Sequence, residues 1–208
     1  MIAAKQIFIG QSGKHLPYDA EVEYIESTGV QYIDTGVSPG SAAFRFRLDG
    51  AFTDVNVNSA HGTYMTDYRA FIAVIASRAV FQFGTIYGAR NSAAADTNRH
   101  VFDLNWNRGT TNMLEFSIDG NLEYSDEINP TTGLSSNITF YVFARHGQSG
   151  AAAKAHFRCY GVLLEKDGQT EFDAKPVRVG NAGCLYDHVS GQIFRNAGTD
   201  AFLYGSDK

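Results

Sequence analysis

Cysteine is scarce in this sequence. The 208 residues include two cysteines, Cys159 and Cys184. There is no Cys-x-x-Cys pair and no histidine cluster at zinc spacing, so a disulfide-stapled scaffold and a structural zinc site are both excluded. We expect two buried free thiols rather than a disulfide, because no signal peptide is recognisable in the chain, although the spacing alone permits a bond.

The sequence also lacks runs of positive charge and long apolar runs. The formal net charge is −5, and no two Lys or Arg residues are adjacent. Such a chain offers no electrostatic footprint for a nucleic-acid backbone. No apolar stretch approaches the ~20 residues of a membrane helix, and residues 1–22 lack the apolar region of a signal peptide. We therefore expect a soluble chain without its own export signal, and neither nucleic acid nor membrane as a partner.

Aromatic residues and glycine are abundant, with 15 Phe, 11 Tyr and 21 Gly, which favours strands and tight turns. Apolar and polar residues alternate in three segments, which predicts strands with one face in the core. These segments are AFRFRLD (43–49), HVFDLNW (100–106) and MLEFSID (113–119). Two further segments, FIAVIAS (71–77) and ITFYVFA (138–144), are apolar on both faces and are predicted to be central strands.

Turn signals separate these segments. Asp-Gly pairs at 49–50, 119–120 and 167–168 predict tight hairpin turns. The alanine clusters at 92–96 and 149–155 are short and flanked by Gly, Ser or Asn, so we interpret them as loops. No run of ten or more residues keeps a helical period, which leaves an all-β chain.

About a dozen short strands with frequent turns predict an antiparallel β-sandwich of the jelly-roll type. We assign this domain to residues 21–208. Residues 1–20 contain a short strand-like piece, IFIG, followed by a linker, and are predicted to be an N-terminal arm or attachment segment.

Two motifs resemble a known family. VEYIESTGVQYIDTGVSP, at 22–39, resembles the start of concanavalin A-like (laminin G-like) jelly-roll domains of phage and prophage virion proteins and of surface proteins of gut bacteria. The segment 161–205, with its ending Leu-Tyr-Asp…Gly…Phe…Asn-Ala-Gly-Thr, resembles the end of the same domains. The chain departs from them at 170–183, where many relatives have Arg-Asp-Phe-x-Pro. The resemblance implies one complete jelly-roll domain.

Two pairs of carboxylates are candidates for a catalytic pair, because related jelly rolls include glycosidases. Glu115 and Asp119 share a strand face but lie ~13 Å apart, beyond the ~5–9.5 Å of glycosidase pairs. A three-residue connection would place Glu26 opposite Asp34, whereas a two-residue turn would not. The hydroxyl and glycine residues around this pair favour a structural turn, so we expect no enzyme.

Metal and cofactor sites are not expected either. Asp119-Gly120-Asn121 has oxygen ligands that suit calcium, but a plain Asp-Gly hairpin turn accounts for the same residues. Sugars are usually held by aromatic faces and bidentate polar groups, and sites tend to lie in strand-end loops. The candidates for carbohydrate binding are Asn105, Trp106 and Arg108, then Tyr87, Arg90 and Asn91, then Arg145 and His146. Each aromatic among them could equally be a core residue.

The resemblance implies a non-catalytic protein of a phage or prophage virion, such as a head fibre, a decoration protein or a tail-associated protein. It would bind cell-surface or mucosal glycans or neighbouring virion subunits, and residues 1–20 would dock it to the particle or to sister chains in a homo-oligomer. Assembly in the host cytoplasm would need no signal peptide. The alternative is a lectin-like domain of a bacterial cell surface, and a glycoside hydrolase is a third, weaker hypothesis.

Overall fold

The computed structural model describes residues 16–40, 42–64, 69–75, 78–84, 96–107, 109–128 and 138–208, together with the backbone of 86–90. These residues form strands and connecting segments, without an α-helix among them. Within the same described ranges, no helix has the length and apolar character of a membrane span. The strands in chain order are β1 Ala20–Glu21, β2 Ile25–Thr28, β3 Ile33–Asp34, β4 Phe44–Phe52, β5 Ser59–Tyr64, β6 Arg69–Ile75, β7 Arg78–Phe83, β8 Ile86–Arg90, β9 His100–Trp106, β10 Met113–Ile118, β11 Asn121–Glu127, β12 Tyr141–Val142, β13 Arg145–Gly147, β14 Gly150–Ala152, β15 His156–Lys166, β16 Gln169–Val179, β17 Ala182–Asp187, β18 Ile193–Phe194 and β19 Leu203–Tyr204.

The strands form two sheets, which confirms the predicted β-sandwich. The larger sheet has the order β11-β10-β9-β4-β15-β16-β17-β18, and β1, β2 and β19 join it at β16, β15 and β2. The smaller sheet has the order β14-β13-β5-β6-β7-β8, and β12 and β3 pair beside β5. Among the described strands, pairing is antiparallel except between β5 and β13, which are parallel.

The core lies between the two sheets and is rich in aromatic rings. Phe81 of the smaller sheet packs against Phe116 of the larger sheet, with ring centroids 4.9 Å apart. Phe83 packs in the same way on Trp106, at 4.8 Å. Such pairs stabilise a core by more than the apolar area that they bury. The three alternating segments place their apolar residues in this core, as predicted.

A buried histidine lies inside this aromatic core. His61 of β5 is fully buried, and its ring centroid is 4.4 Å from that of Phe157. Its Nδ1 accepts a hydrogen bond from the backbone N–H of Phe143, 3.0 Å away. Burial disfavours the charged ring and lowers the pKa of His61 to about 3.

Two of the three predicted hairpin turns are confirmed. Asp119-Gly120 joins β10 to β11 with φ values of 52° and 78°, and Asp167-Gly168 joins β15 to β16 with 49° and 74°. Both positive φ values match the tight turn that Asp-Gly favours. The prediction for 49–50 is wrong, because these residues lie inside the continuous strand β4. Gly50 is needed there for a different reason, since a Cβ would collide with the Phe157 ring and the Arg158 carbonyl oxygen.

Two other segment predictions need correction. Segment 71–75 is a central strand as expected, buried on both faces within β6, but 138–144 contributes only the two residues of β12. Phe143 has a φ of 67°, which turns the chain away from a strand while keeping it in the core. In the alanine cluster 149–155, three residues form the short strand β14 rather than a loop. Most of the cluster at 92–96 lies outside the described residues.

The opening motif carries the chain from one sheet to the other. β2 belongs to the larger sheet and β3 to the smaller one, so Glu26 and Asp34 do not oppose each other. Buried Gln31 holds the crossing: its Oε1 accepts from the Thr28 N–H at 2.9 Å, and its Nε2 donates to the Ala201 carbonyl at 3.0 Å. The two carboxylates hold local structure, Glu26 through an ion pair with Arg158 and Asp34 through the Gly36 N–H.

The two motifs that carry the family resemblance contact each other. The Asn196 side-chain oxygen accepts from the backbone N–H of Tyr32 at 3.0 Å and from that of Gly198 at 2.8 Å. The Ala197 N–H in turn donates to the Tyr32 carbonyl. The Asn-Ala-Gly-Thr ending therefore fastens the crossing between the sheets, and 170–183, where the chain departs from the family, forms β16 and its turn into β17.

The two flanks of the domain run beside each other. Val22 bridges Asp207, and the backbone N–H of Lys208 donates to the Glu21 carbonyl at 2.9 Å. Arg178 of β16 pairs with Asp207 at 2.7 Å and lies 3.7 Å from Asp19. Residues 1–15 of the predicted arm lie outside the described residues, so the arm stays a prediction; its last residue, Ala20, already pairs with β16.

Both cysteines are free and buried, as expected from the sequence. Burial raises the pKa of the Cys159 and Cys184 thiols. Both side chains therefore stay protonated at neutral pH and serve as small apolar residues of the larger sheet.

Candidate functional site

The candidates taken from the sequence do not form one site. Trp106 is 1% exposed and belongs to the core, so its ring faces the smaller sheet and not the solvent. In this position the ring has no exposed face on which a sugar could stack, which fits the core alternative that the sequence left open. Asn105 points to the opposite, outer face of the larger sheet and is half-buried. Arg108 and Asn91 lie outside the described residues, and for Tyr87 and Arg90 the structure describes only the backbone of β8.

Arg145 and His146 lie on β13, near the β14 edge of the smaller sheet. The Arg145 guanidinium lies 3.9 Å over the Tyr64 ring. The His146 ring stacks on Tyr141 at 3.9 Å, and its Nδ1 is 2.9 Å from the Thr139 carbonyl oxygen. Both side chains are thus packed against neighbouring groups in a different sheet from Asn105.

A cleft of about 400 Å³ opens on the outer face of the larger sheet. It crosses β4, β15 and β16 and is bounded by the segment that follows β17. We call it the Arg47 cleft; it is lined chiefly by Arg47, Asp49, Tyr160, Gly161, Leu163, Asp173, Lys175 and His188.

Strand alternation and one bulge build this cleft. In β4 the buried residues Phe46 and Leu48 alternate with Arg47, which therefore points outward. The register between β15 and β4 shifts between Cys159 and Gly161, so Tyr160 is the extra residue of a β-bulge. Since Cys159 and Val162 are both buried, Tyr160 and Gly161 both face outward, and the glycine leaves the floor of the cleft low.

The Tyr160 ring is held by two contacts. The Arg99 guanidinium lies 4.1 Å over Tyr160, and Arg99 is itself paired with Asp49 at 2.7 Å. On the other side, Tyr160 packs against Tyr24 at 5.6 Å, and Arg158 covers Tyr24 at 4.9 Å. Burial raises the pKa of the Tyr160 hydroxyl, so it remains a hydrogen-bond donor at neutral pH. These contacts fix the position of the Tyr160 ring without a ligand.

Most cations on this face are bound to carboxylates. Arg45 pairs with Asp103 at 2.6 Å and Arg158 with Glu26 at 2.6 Å, while Lys175 pairs with Glu21. The pairing with Asp103 raises the pKa of Arg45. These cations are engaged in ion pairs within the sheet, so they are less available to bind a ligand.

Arg47 and Asp173 are different. Arg47 is exposed and makes no hydrogen bond, ion pair or ring contact with any residue of the described chain. The Asp173 carboxylate is also exposed and unpaired there, although its backbone N–H donates to Asp187 and its carbonyl accepts from His188. Leu163 lies between them, because it is opposite Arg47 on one side and Asp173 on the other. The cleft thus has an apolar floor with a free donor group at one end and a free acceptor group at the other.

The neighbouring hollow on the same face is more polar. It has a volume of about 250 Å³ and is lined by Arg45, Asp103, Asn105, Glu115 and Leu122, among others. Of the sequence candidates whose side chains the structure describes, Asn105 is therefore the one that lies beside the Arg47 cleft. The cleft itself was not predicted from the sequence, although the alternation in 43–49 indicates that Arg47 faces outward.

Calcium at Asp119 is not favoured by the geometry. The Asp119 carboxylate is occupied by His100 Nδ1 at 2.6 Å and by the Val101 N–H at 2.8 Å. Among the residues that the structure describes, no group of three or more His, Cys, Asp or Glu side chains is placed to hold a metal ion. The Asp-Gly hairpin turn therefore accounts for these residues.

Solved structures resemble this fold over most of the chain. A candidate carbohydrate-binding protein of Bacteroides ovatus matches 89% of this chain with a TM-score of 0.64 and 10% identity, and the chain spans 61% of its length. The CBM40 module of the Ruminococcus gnavus IT-sialidase matches 68% of the chain, at 0.55 and 11%, and is itself covered over 89%. Domains LG4-5 of the mouse laminin alpha1 chain match 92%, at 0.58 and 10%, with 48% of that chain covered.

These likenesses show the fold and confirm the predicted jelly-roll β-sandwich of the concanavalin A-like type. The resemblance of the two motifs to phage and prophage virion proteins stays a prediction. No known family profile matches the chain, and no curated protein matches it in sequence. What the neighbours bind or assemble with is a property of those proteins.

Proposed function

We propose that the chain is a non-catalytic glycan-binding module and that the Arg47 cleft is its binding site. The observation that carries this proposal is that Arg47 and Asp173, which pair with no described residue, lie on either side of the apolar Leu163 floor. A sugar presents an apolar ring face and a rim of hydroxyl groups, so it needs a floor, donors and acceptors in this arrangement. Tyr160 and His188 supply further polar groups at the edges of the cleft.

A blocking substitution tests the site. Gly161→Leu fills the cleft, and the nearest atom to the new Cβ is the Ala174 carbonyl oxygen at 3.8 Å, an ordinary contact. Gly147→Leu is the matched control on the smaller sheet, where the nearest atom is 3.6 Å away. We expect the purified chain, displayed multivalently on a broad glycan array, to bind, Gly161→Leu to lose binding, and Gly147→Leu to keep it.

Two results would contradict the proposal. If Gly161→Leu binds as the unmodified chain does, the site lies elsewhere. If the chain binds no glycan even at high valency, it is not a glycan-binding module, and a purely structural role is the better hypothesis.

The place of the module is a second proposal, and it comes from the sequence resemblance. We place it on a phage or prophage virion, with the segment up to residue 20 as the attachment to other virion proteins or to sister chains in a homo-oligomer. The alternative location is a bacterial cell surface. Detection of the protein in purified particles supports the virion, whereas an upstream signal sequence in the gene supports the cell surface.

A further inference from the structure

We infer that the Arg47 cleft takes a carboxylated sugar, and that Arg47 binds the carboxylate while Asp173 binds hydroxyl groups of the same ring. This inference rests on the glycan-binding function proposed above and gives it a ligand class. It follows from the position of Arg47 among the other charges of the sheet, not from the overall charge of the chain.

Within the part of the chain that the structure describes, Arg47 has no partner because of its neighbours in the sheet. Its cross-strand neighbour on β9 is Asp103, but both oxygens of that carboxylate are taken by Arg45, at 3.0 and 2.6 Å. Its neighbour on β15 is Leu163, which offers no polar atom. Two further carboxylates line the cleft: Asp49 is held by Arg99, and Asp173 makes no ion pair with Arg47, from which it is separated by the whole width of β15. An external anion is therefore the partner that this guanidinium can take.

The guanidinium group suits a carboxylate in particular. Its planar fork donates two parallel hydrogen bonds to the two oxygens of one carboxylate, an arrangement that is stronger and more directional than a bond to a hydroxyl group. Arg47 is exposed, so little desolvation opposes this contact.

Asp173 fixes the orientation of the ligand. β4, β15 and β16 are consecutive strands, so Arg47 and Asp173 project from backbones about 10 Å apart. A carboxylate ligand group at the Asp173 end would face like charge, whereas hydroxyl groups there would donate to it. The carboxylate end of the sugar therefore lies over β4, and its hydroxyl rim lies over β16.

Matched sugar pairs test this inference. The probes are oligomers of galacturonate, glucuronate and mannuronate, and sialyllactose, each beside its neutral counterpart with the carboxyl group reduced or, for sialyllactose, methyl-esterified. We expect one acidic member to bind at least about tenfold more tightly than its neutral counterpart. This preference is expected to weaken as NaCl is raised, because salt screens exposed charges.

Substitutions separate the two ends of the cleft. Arg47→Gln is expected to remove the preference for the acidic member, and Arg47→Lys to keep part of it, because lysine retains the charge but not the fork. Asp173→Asn is expected to weaken both members of a pair by a similar factor and so leave their ratio unchanged. Arg78→Gln, at an exposed position of the smaller sheet, is the control and is expected to leave both affinities unchanged.

The outcomes distinguish this inference from the proposed function. If the neutral sugars bind as tightly as the acidic ones and Arg47→Gln weakens both equally, the module binds glycans but the acidic ligand class is wrong. If sulfated sugars bind and no carboxylated sugar does, the inference that the ligand carries a carboxylate is wrong, while the glycan-binding function stands. If no sugar binds at all, the proposed function itself fails.

Discussion

Mild acid is expected to destabilise the sandwich through His61. The ring is fully buried among Phe rings, its Nδ1 accepts the Phe143 N–H, and burial lowers its pKa to about 3. In the unfolded chain the pKa is near the ordinary value of about 6.5, so the unfolded state binds more protons between these two values. Stability from this group is therefore fully present above pH 6.5 and is lost progressively as the pH falls towards 3.

The expected loss follows from the two pKa values. Below pH 6.5 the free energy of unfolding falls by about 1.4 kcal/mol per pH unit for one such group. Between pH 7.5 and pH 5.0 the loss from His61 is about 2 kcal/mol. This interval lies above the titration of most carboxylates, so His61 can be measured with little contribution from them.

The assay is urea unfolding of the unmodified chain and of His61→Asn at pH 7.5 and pH 5.0. Asparagine keeps a side-chain acceptor for the Phe143 N–H but does not titrate. We expect the variant to be less stable overall, yet to lose about 2 kcal/mol less than the unmodified chain on acidification.

Two points keep this measurement interpretable. Val74→Ala truncates the same core without removing a titratable group and is expected to keep the unmodified acid loss. The Asp119 and Asp96 carboxylates raise the pKa of His100 despite its partial burial. His100 therefore adds stability as the pH falls over this interval, which is opposite to the effect of His61. Only the difference between His61→Asn and the unmodified chain isolates the contribution of His61. An equal acid loss in both proteins would refute the reasoning, because His61 would then be solvated or protonated in the folded state.

Two further predictions concern the core. Gly50→Ala is expected to lower the free energy of unfolding by at least about 1–3 kcal/mol, because the new Cβ would collide with the Phe157 ring and the Arg158 carbonyl oxygen. Gly161→Ala, in the neighbouring strand, is the control and should be nearly neutral. Thermal unfolding of the two variants checks this prediction, and equal midpoints would contradict it. Trp106→Ala is expected to lower the free energy of unfolding by about 3–5 kcal/mol, while Trp106→Phe should keep glycan binding at temperatures where it is folded; a folded Trp106→Phe that no longer binds would show that this ring does serve the site.

Much of the fold could be predicted because its signals are local. The alternation in 43–49 and 100–106 correctly separates buried from outward residues, and the same pattern already placed Trp106 on the face of Phe102 and Leu104. Of the two alternatives for Trp106, a core residue or a sugar-stacking residue, the alternation favours the core residue. The Asp-Gly signal failed at 49–50 because Gly50 is required by a close approach of β15, which is a tertiary contact that no turn pattern contains.

The site could not be predicted in the same way. Arg47 is recognisable as outward-facing, but its lack of a partner depends on Asp103 being taken by Arg45, more than fifty positions away in sequence. Tyr160 reaches the outer face only through the bulge in β15. Asp173 joins the cleft because β16 follows β15 in the sheet, so the site is a product of strand order rather than of any one motif.

The neighbouring flanks of the domain have a mechanical consequence. Residues 20–22 and 206–208 are joined by a few backbone bonds and by the contacts of Arg178 with Asp207 and Asp19. A pulling force applied across these two flanks would open the bonds one after another, as in a zipper, instead of sliding the long strands β15 and β16 past each other. Under such a load we expect the bonds between the flanks to break well before the two sheets come apart.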